Sequence, residues 1–253
     1  MTGNRKQRQW VIMAAKELKL MPTTEGGLDF KMNLTEALDG YPGHEHSYPI
    51  TPLYRDAVQL IAQSGITYTP TLLVSYGGPF GENYFYEHYD IHDMPKVQRF
   101  IPHEEIDQRA ERRDGWFRDN QYVFPLVAAS ANAILQAGGW VGLGGHGQLD
   151  GLGDHWELWA MASGGMKPMD VLRVATVNGA HGLGMDQDLG SLEAGKFADL
   201  IVLDANPLDD IHNTNTIRYV MKNGRLYDGN TLDEVWPRQR PLPTPWWWGR
   251  DPR

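Results

Sequence analysis

Four side chains in this sequence have the type and placement for metal or proton chemistry: Glu25, His44, His46 and His146. His44 and His46 stand two apart in "GHEHSYP", and on a strand that spacing puts both imidazoles on one face. His146 sits in "VGLGGHGQ", directly after a short apolar run. A glycine hinge of this kind brings one imidazole to the rim of a sheet with little bulk around it, which suits a ligand, a proton carrier or a hydrogen-bonding turn residue equally. Glu25, followed by Gly26 and Gly27, reads as a strand-end carboxylate that could act as ligand, as general base or as the cap of the next helix. The chain has no cysteine, so any metal must be held by His, Asp or Glu, and disulfides and thiol nucleophiles are excluded.

The elements that must position these groups alternate between extended and helical runs, the pattern of βα units around a parallel sheet. Strands are expected over 19–25, 41–46, 66–75 and 140–147, and helices over 33–39, 52–64, 103–137, 154–164 and 168–178. Asp154 reads as an N-cap and His155 as a hydrogen-bonding residue behind the site. Between them, residues 77–102 form a long aromatic segment, "GGPFGENYFYEHYDIHDMPKVQRFIP". It leaves the C-terminal end of the third strand, where it would act as a substrate wall or as an ordinary packed excursion. His88, His92 and His103 lie in or beside it, for substrate contact or for solvent.

From Gly190 the pattern changes to antiparallel alternation, with Asn223-Gly224 as a two-residue hairpin turn. The tail "WPRQRPLPTPWWWGRDPR" reads as an extended segment laid over an apolar groove or a neighbouring subunit. The expected divisions are 1–189, 190–235 and 236–253.

Composition limits the partners. With 253 residues, 41% hydrophobic and 22% charged, the chain can bury a sizeable core. A formal net charge of -9 offers no basic field for nucleic acid or an anionic membrane. No apolar run approaches a membrane span and no secretory signal is visible, so a soluble chain is expected, its compartment open, with small molecules or proteins as its partners. There is no phosphate loop, no Gly-x-Gly-x-x-Gly after a strand and no Gly-x-Ser-x-Gly elbow, which removes support for nucleotide and serine-hydrolase chemistry. The start enters an amphipathic helix at once, with Trp10, Val11, Ala14, Leu18 and Leu20 at helical spacing and no strand before it.

"GSLEAGKFADLIVLDANPLDDI" followed by "TIRYVMKNGRLYDG" closely resembles the C-terminal segment of the amidohydrolase superfamily, where the chain leaves a (β/α)8 barrel and completes a small β-sandwich. "HWELWAMASGGMKPMDVLRVATVNGAHGLG" and "GHEHSYP" resemble the imidazolonepropionase-like branch, and the whole chain is similar to the amidohydrolase domains joined to TolB-like propellers. The resemblance implies an α/β fold: a partial (β/α)8 barrel, strands 5 to 8, followed by a small antiparallel β unit. The family's His-x-His of strand 1 and lysine of strand 4 do not occur here, so the C-terminal half of the domain is expected, with something before it. The family's strand-5 histidine falls near Thr23, leaving Glu25 as the nearest ligand-capable group, and its strand-8 aspartate falls at His146.

If the strands lie as in that family, His46 and His146 approach at the barrel mouth, Glu25 arrives from strand 5, and His44 is a further candidate ligand. Such a donor set suffices for one divalent ion, Zn²⁺ first and Mn²⁺, Fe²⁺ or Cu²⁺ as alternatives. The reading that follows is a metal-dependent hydrolase of amide, peptide or ester-like bonds, with Glu25 and His146 catalytic. Two others stay open: a copper-dependent oxidase of phenols, and a non-catalytic half-barrel scaffold. Four strands leave two sheet edges and an apolar face, so a homo-oligomer is expected.

Overall fold

Short strands alternate with capped helices along the first two thirds of the chain, and local chemistry explains most of the boundaries. The computed structural model describes residues 4–111 and 115–249; positions 1–3, 112–114 of the long expected helix and 250–253 of the tail lie outside the described residues. Helix α1 (Arg5–Glu17) starts on a capping box between Asn4 and Gln7, which satisfies two orphan donors reciprocally. After β1 (Thr23–Glu25), α2 (Phe30–Asp39) is capped by the Asp29 carboxylate, which accepts from the Met32 N–H, and ends on Gly40 at φ 87°. Asp29, not Glu25, therefore fills the cap position. Strand β2 (Gly43–Glu45), α3 (Arg55–Ser64) and β3 (Thr67–Thr69) follow.

The next segment departs from expectation. The extended run expected to reach residue 75 stops at Thr69, because Pro70 lacks the ladder N–H and Thr71 turns to φ 48° before a 3-10 turn, Leu72–Val74. The aromatic segment folds into α4 (Gly81–His88) and α5 (Pro95–Phe100). The single helix expected over 103–137 is two, α6 (His103–Ala110) and α7 (Phe124–Gln136), the second starting where Pro125 is tolerated. Strand β4 is only Trp140–Val141, since the glycines beyond it favour turns, and α8 (Leu152–Ser163) and α9 (Pro168–Arg173) complete this part.

Strands β1 to β4 form one parallel sheet in sequential order. Thr24, His44, Tyr68 and Val141 lie side by side across it, and each is buried to 2% exposure or less. That row faces the helices, where Ile61, Ile134 and Trp156 are also fully enclosed. The neighbouring row, Glu25, Glu45 and Thr69, takes the other face by the twofold alternation of a strand. A separate antiparallel sheet, β5 (Leu200–Leu203), β6 (Ile217–Lys222), β7 (Arg225–Asp228) and β8 (Glu234–Trp236), follows in order. Asn223 and Gly224, at φ 49° and 75°, make the tight β6–β7 hairpin. The architecture is mixed α/β with two sheets. The tail returns to α5, where the Trp248 indole N–H donates to the Arg99 carbonyl at 2.8 Å and the Arg99 guanidinium lies 4.4 Å from the Trp248 ring centre.

Candidate active site

Glu25 is the last residue of β1, His46 follows β2 directly, Thr71 stands two residues past β3, and His146 lies on the loop after β4. All four thus leave the C-terminal ends of parallel strands, the edge where side chains from separate strands can converge. His46 Nε2 is 3.0 Å from Glu25 Oε1, its Nδ1 is 2.8 Å from Thr71 Oγ1, and its ring centre is 5.1 Å from that of His146. A carboxylate at Nε2 favours the N–H on that nitrogen, which leaves Nδ1 to accept from the threonine hydroxyl. The His46 side chain is largely covered, while Glu25 is mostly in solvent.

Backbone conformation produces this meeting. His46, Thr71 and His146 have φ of 73°, 48° and 55°, a region that residues with a Cβ adopt at a cost of about 1–3 kcal/mol each. The expected common face for His44 and His46 is therefore not observed. His44 stays in the regular strand and turns into the helix layer, whereas the left-handed turn at His46 re-aims its side chain toward Glu25. His44 is fully buried, with Nδ1 3.0 Å from Glu36 Oε2 and its ring stacked on Tyr48 at 4.6 Å. Its Nε2 has no hydrogen-bond partner and points at Gly26, where any Cβ would come within 2.6 Å of it. The structure brings Glu25, His46 and His146 together and leaves His44 apart from them.

Carboxylate and imidazole are suitable donors for a divalent ion. In the arrangement present, Glu25 and His46 are bonded to each other, and no three His, Asp or Glu side chains among the described residues converge closely enough to form a metal cluster. An ion would have to enter between His46 and His146 and replace the hydrogen bond to Glu25.

Two carboxylates of α8 reach the loops beneath this group. Glu157 is fully buried and accepts the Leu72 and Leu73 N–H groups at 2.7 and 3.1 Å; burial pushes its carboxyl up to about 8, against the pull of those two donors. Asp154 lies against Gly145, and loss of solvent followed by the charge of Asp150 raises its carboxyl above the usual range. Asp154 is thus not the expected N-cap, a place held by Gly151. His155 does not form the expected bond through Nδ1, which is buried without a partner, and burial together with Lys96 pushes its imidazole down to about 4.

Sequence reasoning missed Thr71 and Glu157. Thr71 follows a proline at a strand end, and Glu157 is a lone carboxylate in the apolar run "WELWAMA"; each is a usable signal. The aromatic segment is a packed excursion over part of its length: Phe85 is 3% exposed and lies parallel to Trp156 at 5.4 Å. Its α5 also borders a cavity of about 630 Å³ shared with α8 and the antiparallel sheet. His92 and His103 engage Asp107 at 3.0 and 3.4 Å instead of standing free in solvent, and His92 is raised mainly by that bond.

Comparison with known proteins gives this geometry a family. The model of the amidohydrolase family matches residues 31–227, well over half of the chain. The chain belongs to the amidohydrolase family. An imidazolonepropionase from Shouchella clausii is 40% identical over 79 residues, covering 30% of this chain and 18% of that protein. Among solved structures, a Xaa-Pro dipeptidase with methionine bound in its active site superposes with a TM-score of 0.62 at 24% identity, over 89% of this chain and 49% of that one. The Aspergillus niger ochratoxinase gives 0.60 at 19%, over 90% and 46%. At these identities the two structures share the fold. This amidohydrolase chain spans about half the length of those solved structures. No helix among its described residues is long and apolar enough to cross a membrane.

Proposed function

We propose that this amidohydrolase chain carries part of a hydrolytic site for amide, peptide or ester-like bonds in a small molecule or peptide, built on Glu25, His46 and His146. The observation that carries the reading is the 3.0 Å contact of His46 with Glu25 beside His146, three side chains delivered from separate strand ends. Family membership supports hydrolysis as the reaction class. On this reading the four parallel strands are half of a (β/α)8 barrel, and their open face meets further chain, either a homo-oligomeric partner or additional sequence.

The residues divide the work by their surroundings. Thr71 fixes the His46 ring, so its Nε2 edge is held toward Glu25 and the open side of the sheet. Glu25, mostly exposed at the strand end, can take the proton of an attacking water. His146 stands where it can share a ligand with His46 or hold the substrate carbonyl. A divalent ion, zinc by preference, would be held by His46, His146 and Glu25, and when bound would lower the pKa of a water to about 7 and polarise a carbonyl.

Elemental mass spectrometry on protein purified without added metal, paired with a screen of dipeptides and N-acyl amides, tests this. Near-stoichiometric metal that disappears in both His46→Ala and His146→Ala, with hydrolysis lost in parallel, is the expected result. No metal after incubation with Zn²⁺, Mn²⁺ and Cu²⁺, together with no turnover, would sink the hydrolase and leave a binding scaffold.

A further inference from the structure

Helix α8 contributes nothing to the Glu25, His46 and His146 group directly, yet it touches the backbone on which two of its members depend. Asp154 and Glu157 are three residues apart and so lie on one side of the helix. Glu157 accepts the N–H groups of Leu72 and Leu73, the residues immediately after Thr71. Asp154 packs its carboxylate against Gly145, the residue immediately before His146. At Gly145 a Cβ would lie 2.5 Å from Asp154 Oδ1, so glycine is what lets the carboxylate approach this closely.

We infer that α8 is the positioning element of the site, with Glu157 holding the turn that aims Thr71 at His46 and Asp154 holding the hinge that aims His146. The inference rests on the site proposed above. Three features of the structure converge on it. The residues being held, Thr71 and His146, are in the left-handed region at φ 48° and 55°, so each needs outside restraint to stay there. A carboxyl group is costly to bury without partners, and Glu157 is fully buried with those two backbone donors as its hydrogen-bond partners. The two holds also end at one place, since the His46 and His146 ring centres are 5.1 Å apart. One rigid helix therefore fixes the separation of two histidines that stand 100 positions apart in the chain.

The test reads the histidines themselves. Imidazole ¹⁵N resonances of His46 and His146 are recorded in the wild type, Glu157→Met, Glu157→Gln and Asp154→Ala, with thermal unfolding as the control for folding. Glu157→Met should move the His46 signals, Asp154→Ala should move the His146 signals, and Glu157→Gln, which keeps one acceptor oxygen, should return His46 partway to its wild-type position. Where the wild type turns over substrate, both removals should lower kcat by roughly ten- to a hundredfold with KM little changed. Folded variants whose imidazole spectra match the wild type would overturn the inference even if the enzyme is active. A wild type without turnover but with shifted spectra would instead overturn the hydrolase reading and leave the positioning role standing. Should Glu157→Met fail to fold, the His146 signals in Asp154→Ala decide the matter.

Discussion

His44 Nδ1 and Glu36 Oε2 meet at 3.0 Å with both side chains fully shielded from water. Removing one partner of such a pair leaves the other's buried polar group without a hydrogen bond, at a cost of about 1–3 kcal/mol. Glu36→Ala and His44→Ala should therefore each lower urea-unfolding stability by that order while leaving metal content per folded molecule unchanged. Loss of metal in a still-folded His44→Ala protein would return His44 to the ligand set.

Thr71→Val keeps the shape at its position and removes the hydroxyl that meets His46 Nδ1 at 2.8 Å. Without that bond the imidazole is free to change tautomer and rotate, so turnover should fall by about tenfold to a hundredfold. Thr71→Ser should retain most of it. Steady-state kinetics on the two variants side by side is the measurement; equal loss in both would point to packing of the methyl group as the cause.

Two buried groups set opposite pH limits on stability. Glu157 binds its proton more tightly when folded, at about 8 against 4.5, so its contribution is complete below about 4.5 and is lost as pH rises through 8. His155 is held neutral, at about 4 against 6.5, so its contribution is complete above about 6.5 and is lost as pH falls through 4. Denaturant midpoints measured from pH 4 to 9 should show a decline on the alkaline side that Glu157→Gln flattens. An acid-side decline should be flattened by His155→Phe. Unchanged profiles in both variants would assign the pH dependence to other groups.

Phe85 is enclosed between Trp156 and neighbouring rings. Deleting a buried aromatic side chain costs about 3–5 kcal/mol, which is the expected loss for Phe85→Ala in chemical denaturation. A change within about 0.5 kcal/mol, the range of ordinary surface substitutions, would show instead that Phe85 is not held in the packed core.

How far the sequence reached depends on how local each determinant is. The β6–β7 hairpin was legible because Asn223-Gly224 supplies its left-handed conformations within two residues, whereas α2 and α9 were legible in place but not in extent, since α2 starts on Asp29 and the regular turn of α9 ends at Arg173, short of 178. Residues 103–137 form two helices instead of one because Pro125 is tolerated only in a first turn, so a new helix starts at Phe124. The parallel strands were read too long because hydrophobic runs persist past the point where proline or glycine ends the ladder.

The sequence by itself determined the family-like segments, the absence of thiol chemistry and the short set of side chains from which a site could be made. Only the tertiary structure decided that His46 faces Glu25 and that His44 faces Glu36. Strand alternation assigns a face only while φ stays negative, and the single left-handed residue at His46 breaks that rule. The roles of Thr71, Asp154 and Glu157 were likewise decided in three dimensions, because each acts through backbone or side-chain atoms distant in the chain, and no local pattern records which N–H a buried carboxylate will meet.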